Sequence, residues 1–306
     1  MLKIDKFSPV ALFVYNRVEH VQLTVTCLQK NYFADKTDLI IFSDGSKSPK
    51  DFNAVANVRD YIQNISGFRS VQIIEQTTNI GLASSIIFGV TQILSEHNSV
   101  IVLEDDIVTS PAFLSYMNQA LNFFSQNLKI WHISGFSQPI SQMGLGDVYM
   151  NRVMDCWGWG TWSNRWEFFD RNPELLLQRM DGSSRQKFDL MGTNEFWPQV
   201  TKNLTGEINT WAIFWYAEIF LRGGLCVSPT QSYTSNIGFD GSGTHCLDEN
   251  NNHSSLDTLN LKQEIIFDEL LEENLMAIKR IRNIYISRKN IFNRLYNKLK
   301  LLISWH

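Results

Sequence analysis

Three consecutive carboxylates, Glu104, Asp105 and Asp106, directly follow the apolar run Val100–Leu103. Adjacent anions repel one another, and holding them beside an apolar interior is costly unless a cation offsets their charge. Hard oxygen ligands suit Mg²⁺ or Mn²⁺, and both ions usually keep coordination sites for phosphate oxygens. The triplet therefore indicates a metal-dependent enzyme that acts on a nucleotide-activated substrate. The alternative is a solvated acidic turn at the end of a strand.

The segments that must position this triplet alternate between strand-like and helix-like patterns over the first 135 residues. Strands are predicted at 10–15, 39–42, 71–74, 100–103 and 129–133, and helices at 18–30, 51–65, 81–97 and 111–124. Strands that are apolar on both faces and alternate with helices form a mostly parallel sheet covered on both sides. We therefore expect an α/β fold whose ligand binds beyond the carboxyl ends of the strands.

Polar side chains occur at four of those predicted strand ends. They are Asn16 and Arg17 after the first strand, Ser43, Asp44 and Gly45 after the second, Thr78 and Asn79 after the third, and the acidic triplet after the fourth. Because the carboxyl ends of parallel strands meet at one edge of a sheet, these groups are expected to lie together. Their convergence predicts a binding site more strongly than the triplet does alone.

Composition limits the class of protein. The chain has 306 residues, 44% hydrophobic and 19% charged, which is typical of a folded globular protein. It contains no apolar run near the roughly 20 residues that span a bilayer, and its first residues lack the apolar core of a signal peptide. Four cysteines without a Cys-x-x-Cys spacing predict reduced thiols in a cytoplasmic protein. They are Cys27, Cys156, Cys226 and Cys246.

Charge is unevenly distributed along the chain. The net charge is −4, but residues 276–306 hold eight Lys or Arg and no acidic residue, which leaves −12 on the remainder. An acidic body argues against a nucleic-acid partner. Residues 259–300 are predicted to be mostly helical, and a basic amphipathic helix ending near Trp305 suits an anionic membrane surface. The alternative is a helix packed on the domain or on a second subunit.

Beyond Gly135 the pattern changes to an α+β half that is rich in tryptophan at 157–162 and 211–216. Most buried tryptophans belong to a core, although one or two could stack on the C–H face of a sugar ring. We therefore divide the chain into a nucleotide-sugar-binding subdomain at 1–135, an acceptor-binding subdomain at 136–255 and a helical tail at 256–306.

Several of these motifs together resemble a GT-A (Rossmann-like) glycosyltransferase, in particular the N-acetylglucosaminyltransferase I family and its bacterial sugar-transferase relatives. The resemblance extends over roughly residues 8–250. The motifs that carry it are Asn16-Arg17, Ser43-Asp44, the triplet before Thr109-Ser110-Pro111-Ala112-Phe113, Ile133-Ser134-Gly135-Phe136, the 157–162 cluster, and the block from Asn236 to His245.

The resemblance implies a role for each matching residue. Arg17 and Asp44 would contact the nucleoside, with Asp44 accepting a hydrogen bond from the imide of a uracil-type base. Asp106 would bind the metal, and Glu104 and Asp105 would orient the ribose and the donor sugar. Asn16 and Asn79 would be further donor-site residues. The block Gly241, Ser242, Gly243 and Thr244 would close over the diphosphate. His245 could reach the phosphates or the metal.

One departure concerns the general base. In the N-acetylglucosaminyltransferase I pattern an acidic pair follows a tryptophan at the position of Trp211, whereas here Ala212 and Ile213 follow it, and neither can accept a proton. The candidate bases elsewhere in the chain are Asp155, Glu207 and Glu218. Asp155 adjoins the tryptophan cluster, where burial would raise its pKa toward a useful range.

Taken together, the resemblance implies a metal-dependent, inverting glycosyltransferase. It would use Mn²⁺ or Mg²⁺ and move a sugar from a nucleotide diphosphate donor, expected to be UDP-linked, to a saccharide or lipid-linked saccharide in bacterial surface polysaccharide synthesis. It would work in the cytoplasm or on the inner face of the plasma membrane. Two alternatives remain, a catalytically inactive saccharide-binding or scaffold protein and a sugar-1-phosphate nucleotidylyltransferase. The latter usually has a glycine-rich loop after the first strand, which residues 16–19 lack.

Overall fold

A computed structural model describes residues 6–239, 256–267 and 271–288 of the chain. The strands are β1 (Val10–Val14), β2 (Asp38–Ser43), β3 (Ser70–Glu75), β4 (Ser99–Glu104), β5 (Ile107–Thr109), β6 (Ile130–Ser134), β7 (Val148–Asn151), β8 (Trp159–Trp162), β9 (Leu225–Pro229) and β10 (Thr234–Asn236). The helices are α1 (Val18–Gln29), α2 (Phe52–Ile62), α3 (Leu82–Glu96), α4 (Phe113–Phe123), α5 (Ser163–Trp166), α6 (Pro173–Arg179), α7 (Gly182–Phe188), α8 (Trp197–Leu204) and α9 (Ala212–Leu221). Residues 275–288 form a further helix, α10.

Eight strands form the central sheet in the order β3-β2-β1-β4-β8-β6-β9-β7. Neighbours are parallel from β3 through β4 and between β6 and β9, whereas β8 runs antiparallel to both β4 and β6 and β7 runs antiparallel to β9. The predicted α/β class with a mostly parallel sheet is confirmed. The carboxyl ends of β1 to β4 therefore share one edge.

Helices cover both faces of the parallel part, which explains the continuous apolar runs. Ala11 and Phe13 of β1 pack in one hydrophobic cluster with Val90 of α3. Val10 and Leu12 point to the other face and pack in a second cluster, which contains the buried side of α1. Alternate residues of one strand thus reach two cores, as expected for a sheet buried on both sides.

The second half continues the same sheet, because β8 pairs with β4 on one side and β6 on the other. Gly160 permits this pairing, since a Cβ there would lie 2.9 Å from the carbonyl oxygen of Val100. The sheet thus crosses the predicted boundary at residue 135. The assignment of donor and acceptor roles to the two sides remains a prediction.

The C-terminal segment differs from its prediction in one stretch. Residues 259–267 contain no helix and run along the body, where Phe267 packs against the rings of Phe123 and Phe124. Helix α10 is present as predicted, but Ala277, Ile281 and Tyr285 bury its apolar face in the body. In the described ranges, no helix combines the length and apolarity that a bilayer span needs.

Candidate functional site

The acidic triplet lies at the carboxyl end of β4, where the sequence placed it. Arg17, the residue before α1, donates from Nη2 to both Asp105 and Asp106, and the distance to Asp106 Oδ2 is 2.8 Å. Burial raises the pKa of Glu104 to about 8, and the charges of Asp106 and Asp105 add to this rise. Burial also raises the pKa of Asp105 to about 6, although Arg17 opposes it. Arg17 thus offsets part of the negative charge of the triplet. The sequence predicted that a bound metal ion would offset this charge.

A glycine two residues after β10, Gly238, brings the backbone against this cluster. Strand β10 pairs with β5, and the Ile237 amide donates to the carbonyl oxygen of Asp106 over 2.9 Å. A Cβ at Gly238 would collide with Asp106 Oδ2 and lie 3.0 Å from Arg17 Nη1. The side-chain position of Asp106 therefore depends on the absence of a side chain at Gly238.

Two features of this edge bear on ligand binding. Arg17 Nη1 is buried and has no hydrogen-bond partner in the described part of the structure, so it is a donor suited to an anionic oxygen. The same part contains no group of three or more His, Cys, Asp or Glu placed to hold a metal. Mg²⁺ and Mn²⁺ often bind one or two carboxylates plus substrate phosphates instead of a complete protein cage. Asp106, whose side chain is 15% exposed, fits that mode.

Asp44 follows β2 and is buried in a network of its own. Its Oδ1 accepts from the Gly45 and Ile80 amides, and its Oδ2 accepts from the Gly81 amide and from Asn79 Nδ2, all within 2.8–3.0 Å. Asn79 Nδ2 also donates to the carbonyl oxygen of Gly45 over 2.9 Å. These four bonds use the acceptor positions of the carboxylate. Asp44 therefore ties the end of β2 to the start of α3.

The other strand-end residues lie where the pattern put them. Asn16 is partly buried in the loop between β1 and α1. Gly45 touches the chain at Thr78, because a Cβ at Gly45 would overlap the Thr78 backbone. The structure thus brings Arg17 and the triplet into contact, and it brings Asp44 and Asn79 into a second, adjacent contact group.

Asp155 lines a pocket of about 250 Å³ in the second half of the molecule. Gln138 Nε2 donates to Asp155 Oδ1 over 2.8 Å, and burial raises the pKa of Asp155 to about 6. Ala212 and Ile213 line the same pocket. Asp155 therefore supplies a carboxyl group next to Ala212 and Ile213, the positions at which the N-acetylglucosaminyltransferase I pattern has an acidic pair. It comes from the loop before β8.

His132 of β6 holds the backbone of Asp155 in place. Its Nε2 lies 3.0 Å from the carbonyl oxygen of Asp155, and its Nδ1 lies 3.3 Å from Trp215 Nε1, which can only donate. Burial lowers the pKa of His132 to about 3, so the ring is neutral with its proton on Nε2. The two partners thereby fix both the tautomer and the orientation of the ring.

Aromatic residues connect the pocket to the acidic edge. Trp157 lines the pocket beside Phe136, and its ring centre lies 5.6 Å from that of Phe239, the residue after Gly238. Cys156 lies between the two charged groups: burial raises its pKa well above the usual value, and the charges of Glu104 and Asp155 add to the rise. Trp157 and Phe239 therefore join the pocket lining to the backbone that lies against Asp106.

The two other candidate bases lie elsewhere. Glu218 is 1% exposed and paired with Arg179 at 2.9 Å and Arg222 at 3.3 Å. Glu207 is exposed and accepts from the Thr205 hydroxyl. Neither residue lines the pocket. These surroundings favour Asp155 over both.

The predicted site residues and the residues around the pocket do not fully coincide. Gly241, Ser242, Gly243, Thr244 and His245 lie outside the described residues. The pocket lining includes Gln138, Glu195, Tyr285 and Arg288, which sequence reasoning missed. These polar residues come from three segments far apart in the chain and carry no local pattern, so only the fold shows that they meet. Most tryptophans are core, as expected, with Trp159 and Trp215 fully buried.

Comparisons with family models and with curated proteins gave no match. Among solved structures, the chain is similar to the mannosyltransferase PcManGT from Pyrobaculum calidifontis in complex with GDP-Man and Mn²⁺, with 10% identity, a TM-score of 0.39, and coverage of 72% of this chain and 71% of that one. It is also similar to S. aureus TarS, with 11% identity, a TM-score of 0.41, and coverage of 74% and 36%. For TarS 1–349 the identity is 10%, the TM-score 0.40, and the coverage 74% and 59%. With values this low, the activity has to be inferred from the site.

Proposed function

We propose that the chain is a metal-assisted glycosyltransferase that moves a sugar from a nucleotide diphosphate donor to a hydroxyl of a saccharide acceptor. The observation that carries this proposal is that two unlike regions lie close together, joined by the rings of Trp157 and Phe239. One is an acidic edge with an unpartnered guanidinium nitrogen, and the other is an aromatic pocket with a carboxyl group. A donor diphosphate and a sugar hydroxyl need these two environments side by side.

The acidic edge would take the donor. Asp106 would hold Mn²⁺ or Mg²⁺, which neutralises charge on the departing diphosphate when bound. Arg17 Nη1 would donate to a diphosphate oxygen, and Glu104 and Asp105 would orient the ribose and the donor sugar. The resemblance predicts that residues 241–244 close over the diphosphate and that His245 reaches the phosphates or the metal. Both roles remain predictions.

Asp44 would act at the nucleoside indirectly. Because its carboxylate already accepts four hydrogen bonds, we propose that it shapes the base pocket by holding 79–81 in place. Asn79, Asn16 and the backbone of that loop would then contact the nucleoside. The preference for a uridine-linked donor remains a prediction.

The pocket would take the acceptor, with Asp155 as general base. The acceptor hydroxyl oxygen would form a bond to the anomeric carbon while the bond from that carbon to the diphosphate oxygen breaks, and the hydroxyl proton would pass to Asp155 Oδ. Direct displacement in this manner inverts the anomeric carbon. A base with a pKa near 6 is ionised at neutral pH and still receives a proton effectively.

A panel of nucleotide sugars, incubated with the full chain and Mn²⁺, tests the proposal. Release of nucleoside diphosphate is the expected result. Pyrophosphate formation or consumption would instead support a sugar-1-phosphate nucleotidylyltransferase, and no turnover across the panel would support an inactive saccharide-binding or scaffold protein, which the missing acidic pair at 212–213 keeps as the second candidate.

Membrane association through the basic C-terminal residues is a separate proposal. The apolar face of α10 is already covered by the body, so residues 289–306, which hold four Lys or Arg, would have to bind an anionic inner-leaflet surface and bring the enzyme to lipid-linked acceptors. Liposome flotation of the full chain against a chain ending at Arg288 tests this, and equal flotation would refute it. Truncation after Arg288 keeps the buried residues of α10.

A further inference from the structure

One wall of the pocket is a loop held by a single carboxylate. Asp189 Oδ1 accepts from the amides of Glu195, Phe196 and Trp197 at 3.0, 2.8 and 3.2 Å, and its Oδ2 accepts from the amide of Asn194 at 2.6 Å. Asp189 is buried. Four consecutive amides bound to one carboxylate fix the path of this loop, and the loop delivers Glu195 and Phe196 to the pocket.

The same loop contains backbone that is unfavourable for its residues. Leu190, Met191 and Asn194 have φ angles of 46°, 59° and 61°, in the left-handed region that side chains disfavour. Such conformations persist where surrounding contacts enforce them, and they concentrate at ligand sites. Here the enforcing contacts come from Asp189 and from Arg282 of α10, whose Nε donates to the carbonyl oxygen of Leu190 over 3.0 Å.

Helix α10 supplies the facing wall and is fixed along its length. Asn274 caps it by accepting from the Ala277 amide at 3.0 Å, and Arg280 Nη1 donates to the carbonyl oxygen of Ser141 over 2.7 Å. Its far end brings Tyr285 and Arg288 to the pocket. The Tyr285 hydroxyl lies 3.5 Å from Gln138 Nε2, the group that also binds Asp155.

The charges around the pocket limit its ligand. Among the residues that the structure describes, the lining contains the carboxyl groups of Asp155 and Glu195 and one guanidinium, that of Arg288. The charge of Arg288 partly offsets the rise that burial causes in the pKa of both carboxyl groups, so this guanidinium acts on each of them. An added anion would meet two carboxylates against one cation. Aromatic rings beside hydrogen-bonding groups suit an uncharged ring that carries hydroxyls.

We infer that this pocket is a subsite for one uncharged saccharide unit, selected at its rim by Glu195 and Arg288. The inference rests on the proposed function and adds the class of acceptor. Its volume of about 250 Å³ lies just below the roughly 300–1,000 Å³ of drug-sized ligand sites, which fits one sugar ring. Asp155 and Gln138 hold the reacting hydroxyl, and Glu195 and Arg288 hold hydroxyls on the other side of the ring.

Saturation-transfer NMR on the full chain with UDP and the diamagnetic ion Mg²⁺ tests this inference. The probes are methyl glucoside, galactoside and mannoside, each paired with the uronic acid glycoside that differs only by a carboxylate at C6. We expect at least one neutral glycoside to bind about tenfold more tightly than its acidic counterpart. Equal or tighter binding of the acidic partner in every pair would overturn the inference.

Two rim variants separate charge selection from general packing. Glu195→Gln should narrow the difference between neutral and acidic probes several-fold, because it removes one of the two repelling charges. Arg288→Met should weaken the neutral probe about tenfold, whereas Lys279→Met, an exposed cation on the same helix, should leave it unchanged. Circular dichroism checks that each variant folds, and a response to neither rim change would reject the assignment.

Donor turnover without acceptor is measured in parallel as nucleoside diphosphate release. It separates a failure of the saccharide subsite from a failure of the glycosyltransferase function. Absence of turnover with every nucleotide sugar would remove the proposed function and this inference with it. Turnover together with probes that bind independently of Glu195 and Arg288 would remove this inference alone.

Discussion

The acidic edge and the Asp155 pocket both bury carboxyl groups, but they stabilise them in different ways. At the edge, a guanidinium bonds Asp105 and Asp106 directly. In the pocket, the nearest partner of Asp155 is the neutral amide of Gln138, inside aromatic walls. The guanidinium of Arg17 supplies an opposite charge and fixes the direction of the two carboxyl groups, which suits ligand binding, whereas the amide of Gln138 brings no charge to Asp155 and leaves it suited to accepting a proton. The groups that surround each carboxyl group, more than its residue type, therefore distinguish a binding role at the edge from a general-base role in the pocket.

The largest effect is expected for Asp155→Asn. Without its proton acceptor, transfer to a saccharide should fall by about 10²–10⁴-fold. Because the base must be ionised, the wild-type rate should rise with pH through about 6 and then level, and this rise should disappear in the variant. The measurement is the transfer rate from pH 5 to 8. An unchanged pH profile in Asp155→Asn would assign the base elsewhere.

Asp106→Asn tests the other region. Loss of the carboxylate that would hold the metal should lower metal-dependent turnover by roughly 10²–10³-fold and weaken Mn²⁺ binding. The matched control is Asp38→Asn at the opposite end of β2, where the carboxylate pairs with exposed Arg69. Calorimetric Mn²⁺ titration and nucleoside diphosphate release check both variants. Full activity in Asp106→Asn would remove the metal assignment.

The two regions also differ in how far the sequence predicts them. The acidic edge can be predicted from strand periodicity, because parallel strands bring their carboxyl ends together. The strand pattern predicts that Arg17, Asp44, Asn79 and the triplet lie there. Their bonding partners cannot be predicted, since neither the pairing of Arg17 with Asp105 nor the amides around Asp44 leave a pattern in the sequence. The sequence thus predicts where these residues lie better than it predicts which groups they bond.

The pocket could be predicted only in part. Asp155 stood out because it adjoins a tryptophan cluster, but Gln138, Glu195 and Arg288 come from three distant segments. Residues 259–267 were predicted as helix from their apolar spacing, yet Ile265 and Phe267 are buried in an extended segment against the body. Packing against α4 overrides a weak local preference there.

Glu218→Gln distinguishes two candidate bases, the buried Glu218 and the partly buried Asp155. Because Glu218 joins Arg179 and Arg222, both about one-third exposed, removal of its charge should lower the free energy of unfolding by about 1–3 kcal/mol. The pH profile of transfer should keep its wild-type form. Urea unfolding and rate measurements check the two expectations, and a lost acid limb with normal stability would exchange the roles of Glu218 and Asp155.

The smallest effect is expected for Gly238→Ala, which tests whether the edge depends on close backbone approach. The added methyl would displace the Asp106 carboxylate and press on Arg17 Nη1, so the two ion pairs of Arg17 should loosen. Mn²⁺ affinity should fall several-fold, while donor-independent properties of the pocket, such as binding of a neutral glycoside, stay unchanged. Gly182→Ala is the control, because nothing lies within 4 Å of a Cβ at that position. Equal Mn²⁺ affinity in the two variants would mean that the acidic edge tolerates displacement and that its geometry is not set by the 237–239 backbone.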